Sequence, residues 1–130
     1  MSTPTARSLQ LLRNLSLTIP GTPPSGNHYV KHTRTGRHYR TREAEAWDWN
    51  VAAMANGQQV RGKSYRVTAQ YWFAPGQRGD GHNLDKVLFD SLQHCGVIDT
   101  DVKIIQWEGF KFRAEEPSST RTVVTVEVLP

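Results

Sequence analysis

Residues 78–102 read RGDGHNLDKVLFDSLQHCGVIDTDV, and the spacing inside this stretch decides how the rest of the chain is arranged. Leu84, Val87, Leu88, Ser91, Leu92 and Cys95 recur at intervals of three and four. That period predicts one face of a helix laid on a sheet. Asn83 is the best N-cap and Gly96 a natural stop. Cys95 falls on the packed face, so it reads as a buried thiol and not a reactive one. Packing accounts for this face and leaves over Asp80, His82, Lys86, Asp99 and Asp101.

Those residues carry the chemistry. Lys86 sits in the first turn, where a capping box would place Glu or Gln. The helix dipole is positive there, so a cation is locally unfavourable by ~0.3–1 kcal/mol. Such departures are expected at functional sites, and an ammonium beside free helix N–H groups makes a phosphate-binding corner. The competing reading pairs Lys86 with Asp85 or Asp90. An extended segment at 99–101 would point Asp99 and Asp101 to one side. A chain running along the helix and back along a strand would carry them toward Asp80 and His82. Carboxylates and an imidazole so gathered repel one another unless a cation sits among them. A hard divalent ion that also takes phosphate oxygens is the usual occupant, and it can activate water for phosphoryl chemistry. The competing reading is acids decorating turns, where Asp is common.

Before this stretch, Leu15, Leu17 and Ile19 alternate with polar residues and predict a half-buried strand closed by Pro20. PGTPPSGN at 20–27 reads as a loop. Residues 28–42 concentrate Lys31, Arg34, Arg37, Arg40 and Arg42 with His28, Tyr29, His32, His38 and Tyr39. Basic residues interleaved with aromatics suit a phosphate backbone with accessible bases, and a turn at Gly36 allows a short hairpin or a loop. Thr41 caps a helix over about 42–56 with Ala44, Trp47, Val51 and Met54 or Ala55 on its apolar stripe. Trp47 and Trp49 cannot share one narrow face. Alternation predicts a strand at about 64–74. VKIIQWEGFKFR at 102–113 is strand-like, with Gly109 suggesting a bulge, and a final strand covers 122–129. The expected fold is α+β: a mixed, mainly antiparallel sheet of about four strands carrying two helices.

At 130 residues the chain suits one domain, with a flexible leader at 1–13 and a single domain at 14–130. Hydrophobic residues are 37% and charged residues 22%, a globular balance that excludes a disordered chain. No apolar run approaches ~20 residues, which excludes a spanning helix, and no secretory signal is evident. A lone cysteine excludes an internal disulfide and a zinc ribbon, and fits a cytoplasmic setting. The net charge of +4 leans toward nucleic acid.

The Asp80-Gly81-His82-Asn83-Leu84-Asp85-Lys86 run, followed by Asp90, Gly96 and Asp99-Thr100-Asp101, resembles the signature of the RusA family of Holliday junction resolvases, often carried by phages or prophages. The family pattern is Asp-x-Asp-Asn-x-x-Lys, an Asp four residues on, a glycine turn and an Asp-Asp pair before a strand. Pro23, Pro24 and Asn27 and the order of the strands also agree. The resemblance implies a homodimer that cuts four-way DNA junctions in recombination and repair, with Mg²⁺ or Mn²⁺ and no nucleotide cofactor. It places the catalytic acids on Asp80, His82 and Asp101 and the catalytic lysine on Lys86; Asp99 is a further metal-ligand candidate because it could stand in for a missing carboxylate. Lys31, Arg34, Arg37, Arg40, Arg42 and Arg78 would grip DNA backbone. The chain departs from the pattern at His82 and Thr100, each standing where the family has Asp. Imidazole suits Mn²⁺ better than Mg²⁺. The departures also motivate two alternatives: a branched-DNA-binding protein without catalysis, or a nuclease for other branched DNA.

Overall fold

The computed structural model describes residues 11–24, 30–32, 38–76 and 84–130, with no side-chain description for 30–32 and 38–40. Strands β1 (Leu11–Leu12), β2 (Asn14–Pro20), β3 (Val30–His32) and β4 (His38–Arg40) precede helix α1 (Arg42–Ala55). Then come β5 (Gln59–Val60), β6 (Tyr65–Phe73), helix α2 (Leu84–His94), a 3₁₀ turn at Asp101–Lys103, β7 (Ile104–Arg113), a second 3₁₀ turn at Pro117–Ser119, and β8 (Arg121–Val128).

The main sheet has the order β2-β8-β6-β7. Both pairings of β8 are antiparallel, and β6 and β7 are parallel, joined across α2. This is the expected mixed sheet with two helices. Alternation along the strands sorts the faces. Leu15, Leu17, Ile19, Val67, Ala69, Tyr71, Phe73, Val124 and Val126 are buried in one core with the apolar sides of both helices. The buried residues of α2 are Leu84, Val87, Leu88, Ser91 and Leu92, the set its period predicted, and Cys95 packs partly buried against the same core.

Helix α1 begins where the Thr41 side chain accepts a hydrogen bond from the Ala44 amide at 3.2 Å. It ends at Asn56, which is left-handed with φ 50°. Of its two tryptophans, Trp47 is buried and donates its indole N–H to Ser91 Oγ of α2 at 2.9 Å, while Trp49 faces outward. The indole N–H, with no water to meet, thus fixes α1 on α2.

Two small sheets complete the architecture. β3 and β4 pair antiparallel, as the hairpin alternative expects of these two strands, while the turn expected at Gly36 lies outside the described residues. β1 pairs in parallel with β5, so ordered pairing reaches back to Leu11, inside the segment expected as leader. The one irregularity in the β6–β7 register falls at Tyr65/Arg66 and not at Gly109. Gly109 instead makes room for a side chain above it.

Candidate functional site

Helix α2 lies antiparallel to β7, and three contacts trace it. A Cβ on Gly109 would stand 2.9 Å from Asp85 Oδ1. Phe89 meets Trp107 edge-on, with ring centroids 5.8 Å apart. Gln93 Oε1 accepts from the Asp101 amide at 2.7 Å. Four helical residues advance about 6 Å, close to the advance of two strand residues, so Asp85 and Phe89 step in phase with Gly109 and Trp107.

This geometry separates the candidate residues. Lys86 is exposed in the first turn of α2, in no ion pair among the described residues. Asp85 faces Tyr71 at 2.5 Å. Asp101 is tied to the last turn, seven residues further along the helix, or about 10 Å. Helix and strand therefore do not set Asp101 beside Lys86. The reason is a fixed one: the loop after α2 delivers 99–101 to the helix's C-terminal end.

The segment at 99–101 also differs from the extended form expected. Thr100 is extended, but Asp101 opens a 3₁₀ turn, with the Thr100 side chain accepting from the Val102 amide at 3.3 Å. Thr100, one of the two departures from the family pattern, thus caps this turn, a task that Asp also performs.

A polar scaffold holds the turn from behind. Asp99 Oδ1 accepts from the Tyr65 hydroxyl at 2.6 Å, and Oδ2 accepts from the Lys103 ammonium at 2.6 Å. Lys103 also donates to the Gly62 carbonyl at 3.1 Å. The Arg61 guanidinium spans the carbonyls of Val60, Gly96 and Val97 at 2.8–3.2 Å. The Lys103 ammonium, and next the Tyr65 hydroxyl, hold the Asp99 carboxyl well below the usual carboxylate range. Burial, and next the Asp99 bond, push the Tyr65 hydroxyl up to about 12.

These bonds bear on which acids fit a cation. Both oxygens of Asp99 are engaged, so a divalent ion there would compete with Lys103 for Oδ2. The Asp101 carboxylate is half-buried and accepts no hydrogen bond among the described residues. Asp101 thus fits a ligand role better than Asp99. No group of three or more His, Cys, Asp or Glu that could hold a metal gathers among the described residues. Asp80, His82 and the Asn83 cap lie outside those residues, as do Arg34, Arg37 and Arg78. Lys31 and Arg40 are on β3 and β4, and Arg42 is the exposed first residue of α1.

Sequence reasoning missed Tyr65 and Lys103 as the supports of the turn, Arg61 as the clamp on the Gly96 and Val97 carbonyls, and Tyr71 as the partner of Asp85. One signal existed: a tyrosine on the inner side of a strand needs a partner for its hydroxyl. The identity of that partner has no signature in the local sequence.

The family model "Endodeoxyribonuclease RusA" matches residues 20–127. A crossover junction endodeoxyribonuclease of Enterobacteria phage 82 is 26% identical over 112 residues, covering 84% of this chain and 92% of that protein. The protein of that name from Escherichia coli K12 is 25% identical over 117 residues, 88% of this chain and 96% of that one. A Shigella sonnei relative of the same name is 24% identical with the same coverage.

Proposed function

The chain belongs to the RusA family of endodeoxyribonucleases, and from that premise we propose that it resolves four-way DNA junctions by paired, symmetric phosphodiester hydrolysis with Mg²⁺ or Mn²⁺. The match over residues 20–127 carries the reading. Two placements support it: Lys86 is exposed at the start of α2 with no ion pair among the described residues, and the Asp101 carboxylate, on a braced turn, accepts no hydrogen bond among them.

In this reading Asp80, His82 and Asp101 hold the ion, and Asp99 serves the turn. Four extended residues back from Leu84 to Asp80 span about 13 Å, comparable to the ~13 Å of helix axis from Leu84 to Gln93. The tether is therefore long enough for one set of ligands. When bound, such an ion lowers the pKa of a water and offsets charge on the phosphoryl oxygens. Lys86 contacts the scissile phosphate and stabilises its developing negative charge, drawing on the same positive helix end that made it a misfit. Lys31, Arg34, Arg37, Arg40, Arg42 and Arg78 bind backbone phosphates.

Two matched nicks need two matched sites, which a two-fold dimer supplies. Support for a dimer comes from the sheet edge. β7 ends the main sheet and exposes Ile105, Trp107, Phe110 and Phe112, apolar area that a partner would cover.

Incubation with a synthetic four-way junction and Mg²⁺ or Mn²⁺ tests the proposal. Symmetric nicks are expected from the wild type, with Asp80→Asn and Asp101→Asn inactive but still bound to the junction. A wild type that makes no nicks, or variants that cut equally well, would sink it. The non-catalytic reading is favoured by His82, because the carboxylate of Asp99, committed to Lys103, does not replace the missing one. Tight junction binding without cleavage in either metal is its signature. Preferential cutting of flaps or forks over junctions would instead mark a nuclease for other branched DNA.

A further inference from the structure

Lys86 is one residue beyond Asp85, and Asp85 is held in a way that nothing in the helical period requires. It lies at the margin of the packed face and points down onto the sheet. There Ala69 and Gly109 stand side by side across the β6–β7 pairing and leave a hollow. Asp85 enters it, and Gly109 is what admits it: an added Cβ would come within 2.9 Å of Oδ1 and 3.3 Å of Oδ2. Tyr71, two residues along from Ala69 on the same face, donates its hydroxyl to Oδ1. Tyr71 is only 2% exposed, so this hydroxyl has little water to turn to.

We propose that Tyr71, Asp85 and Gly109 form a latch that fixes the rotation of the first turn of α2, and with it the bearing of Lys86 toward the scissile phosphate. Tyr71 and Asp85 are positioning residues. The inference rests on the proposed nuclease function for its catalytic consequence only.

The physical need is specific to this end of the helix. The first four N–H groups have no intrahelical partner, so the first turn is the one that frays. Successive residues project about 100° apart. Pinning residue 85 inward therefore leaves residue 86 pointing sideways off the sheet, at one bearing. Leu84 and Val87 alone bury the turn but permit rocking about the helix axis. A hydrogen bond from the floor of the sheet, with contact to Gly109 on the next strand, removes that freedom. Burial, and next Asp85, push the Tyr71 hydroxyl far above its usual range. It therefore stays a proton donor at any pH where the enzyme works.

The test compares Tyr71→Phe, Asp85→Ala, Asp85→Asn and Gly109→Ala, each with Mn²⁺ and a four-way junction. Asp85→Asn keeps an acceptor oxygen of the same reach and is the rescue. Tyr71→Phe, Asp85→Ala and Gly109→Ala should lower kcat about 10- to 100-fold, the scale of a small misplacement of a catalytic group. KM should change less than about twofold, and Asp85→Asn should retain most of kcat. Amide exchange supplies the second readout. Leu88 and Phe89 close on the carbonyls of Leu84 and Asp85 in the helical pattern, so their amides should exchange about tenfold faster in Tyr71→Phe. The amides of β6 and β8 should not change. The latch is overturned if Tyr71→Phe matches wild type in kcat and in exchange at Leu88 and Phe89. It is equally overturned if kcat falls only where every amide loses protection together. If wild type itself cuts no branched DNA, the proposed function fails, and the exchange pattern still decides the latch.

Discussion

Replacing Tyr65 by Phe removes one oxygen from a residue that is fully buried and leaves the ring in place. The lost hydroxyl donates at 2.6 Å to Asp99, the carboxylate that ties β6 to the turn at 101–103. Hydrogen bonds to charged groups contribute about 1.5–3 kcal/mol. Asp99 is partly exposed and can recruit water in the variant, and Lys103 still holds its other oxygen. Solvent screening brings the loss to the bottom of the range, about 1.5 kcal/mol. The pH dependence has a definite sign. Tyr65 is raised from 10 to about 12 in the fold. Its contribution is therefore complete below pH ~10 and fades as pH climbs toward ~12. Asp99 is lowered, so its contribution is complete above the ordinary carboxylate range near pH ~4 and fades as pH falls below it. Urea unfolding of wild type and Tyr65→Phe across pH 3–11.5 should show a stability gap that is flat from about pH 5 to 9.5. The gap should narrow at the alkaline end, because Lys103 keeps Asp99 ionised in both folded proteins at the acid end. A gap below ~0.5 kcal/mol at pH 7, or one that widens above pH 10, would refute the reasoning.

Three further outcomes can be checked. Ser91→Ala orphans the buried indole N–H of Trp47 and should destabilise the protein by about 1–3 kcal/mol in urea unfolding; Trp47→Phe in the same background should recover part of that loss. Thr41→Ala removes the cap at the start of α1 and should cost about 1 kcal/mol by the same assay. EDTA should abolish junction cleavage, and Mn²⁺ should restore it at least as well as Mg²⁺ if His82 is a ligand. A His82→Asp variant that shifts preference back toward Mg²⁺ would support that assignment, and one with unchanged preference would remove His82 from the ligand set.

The sequence alone determined whatever depends on neighbours along the chain. The period of Leu84, Val87, Leu88, Ser91 and Leu92 placed α2 and its buried side. The alternation at 15–19 and 65–73 placed two strands, and the Thr41 cap placed the start of α1. The motif from Asp80 through Asp101 named the family, because residue type and spacing are written in the sequence itself. Tertiary structure decided which groups meet across distances no spacing records. It set Asp101 beside Gln93, about two turns from Lys86, because the loop after α2 ends at the far end of the helix. It committed Asp99 to Tyr65 and Lys103, partners 34 residues back and 4 residues on. It turned Gly109 from a suspected bulge into the floor beneath Asp85. Periodicity tells which side of an element is buried, but a carboxylate's partner is fixed by the register between strands and the axial position of a helix over them. Those quantities exist only once the sheet has formed.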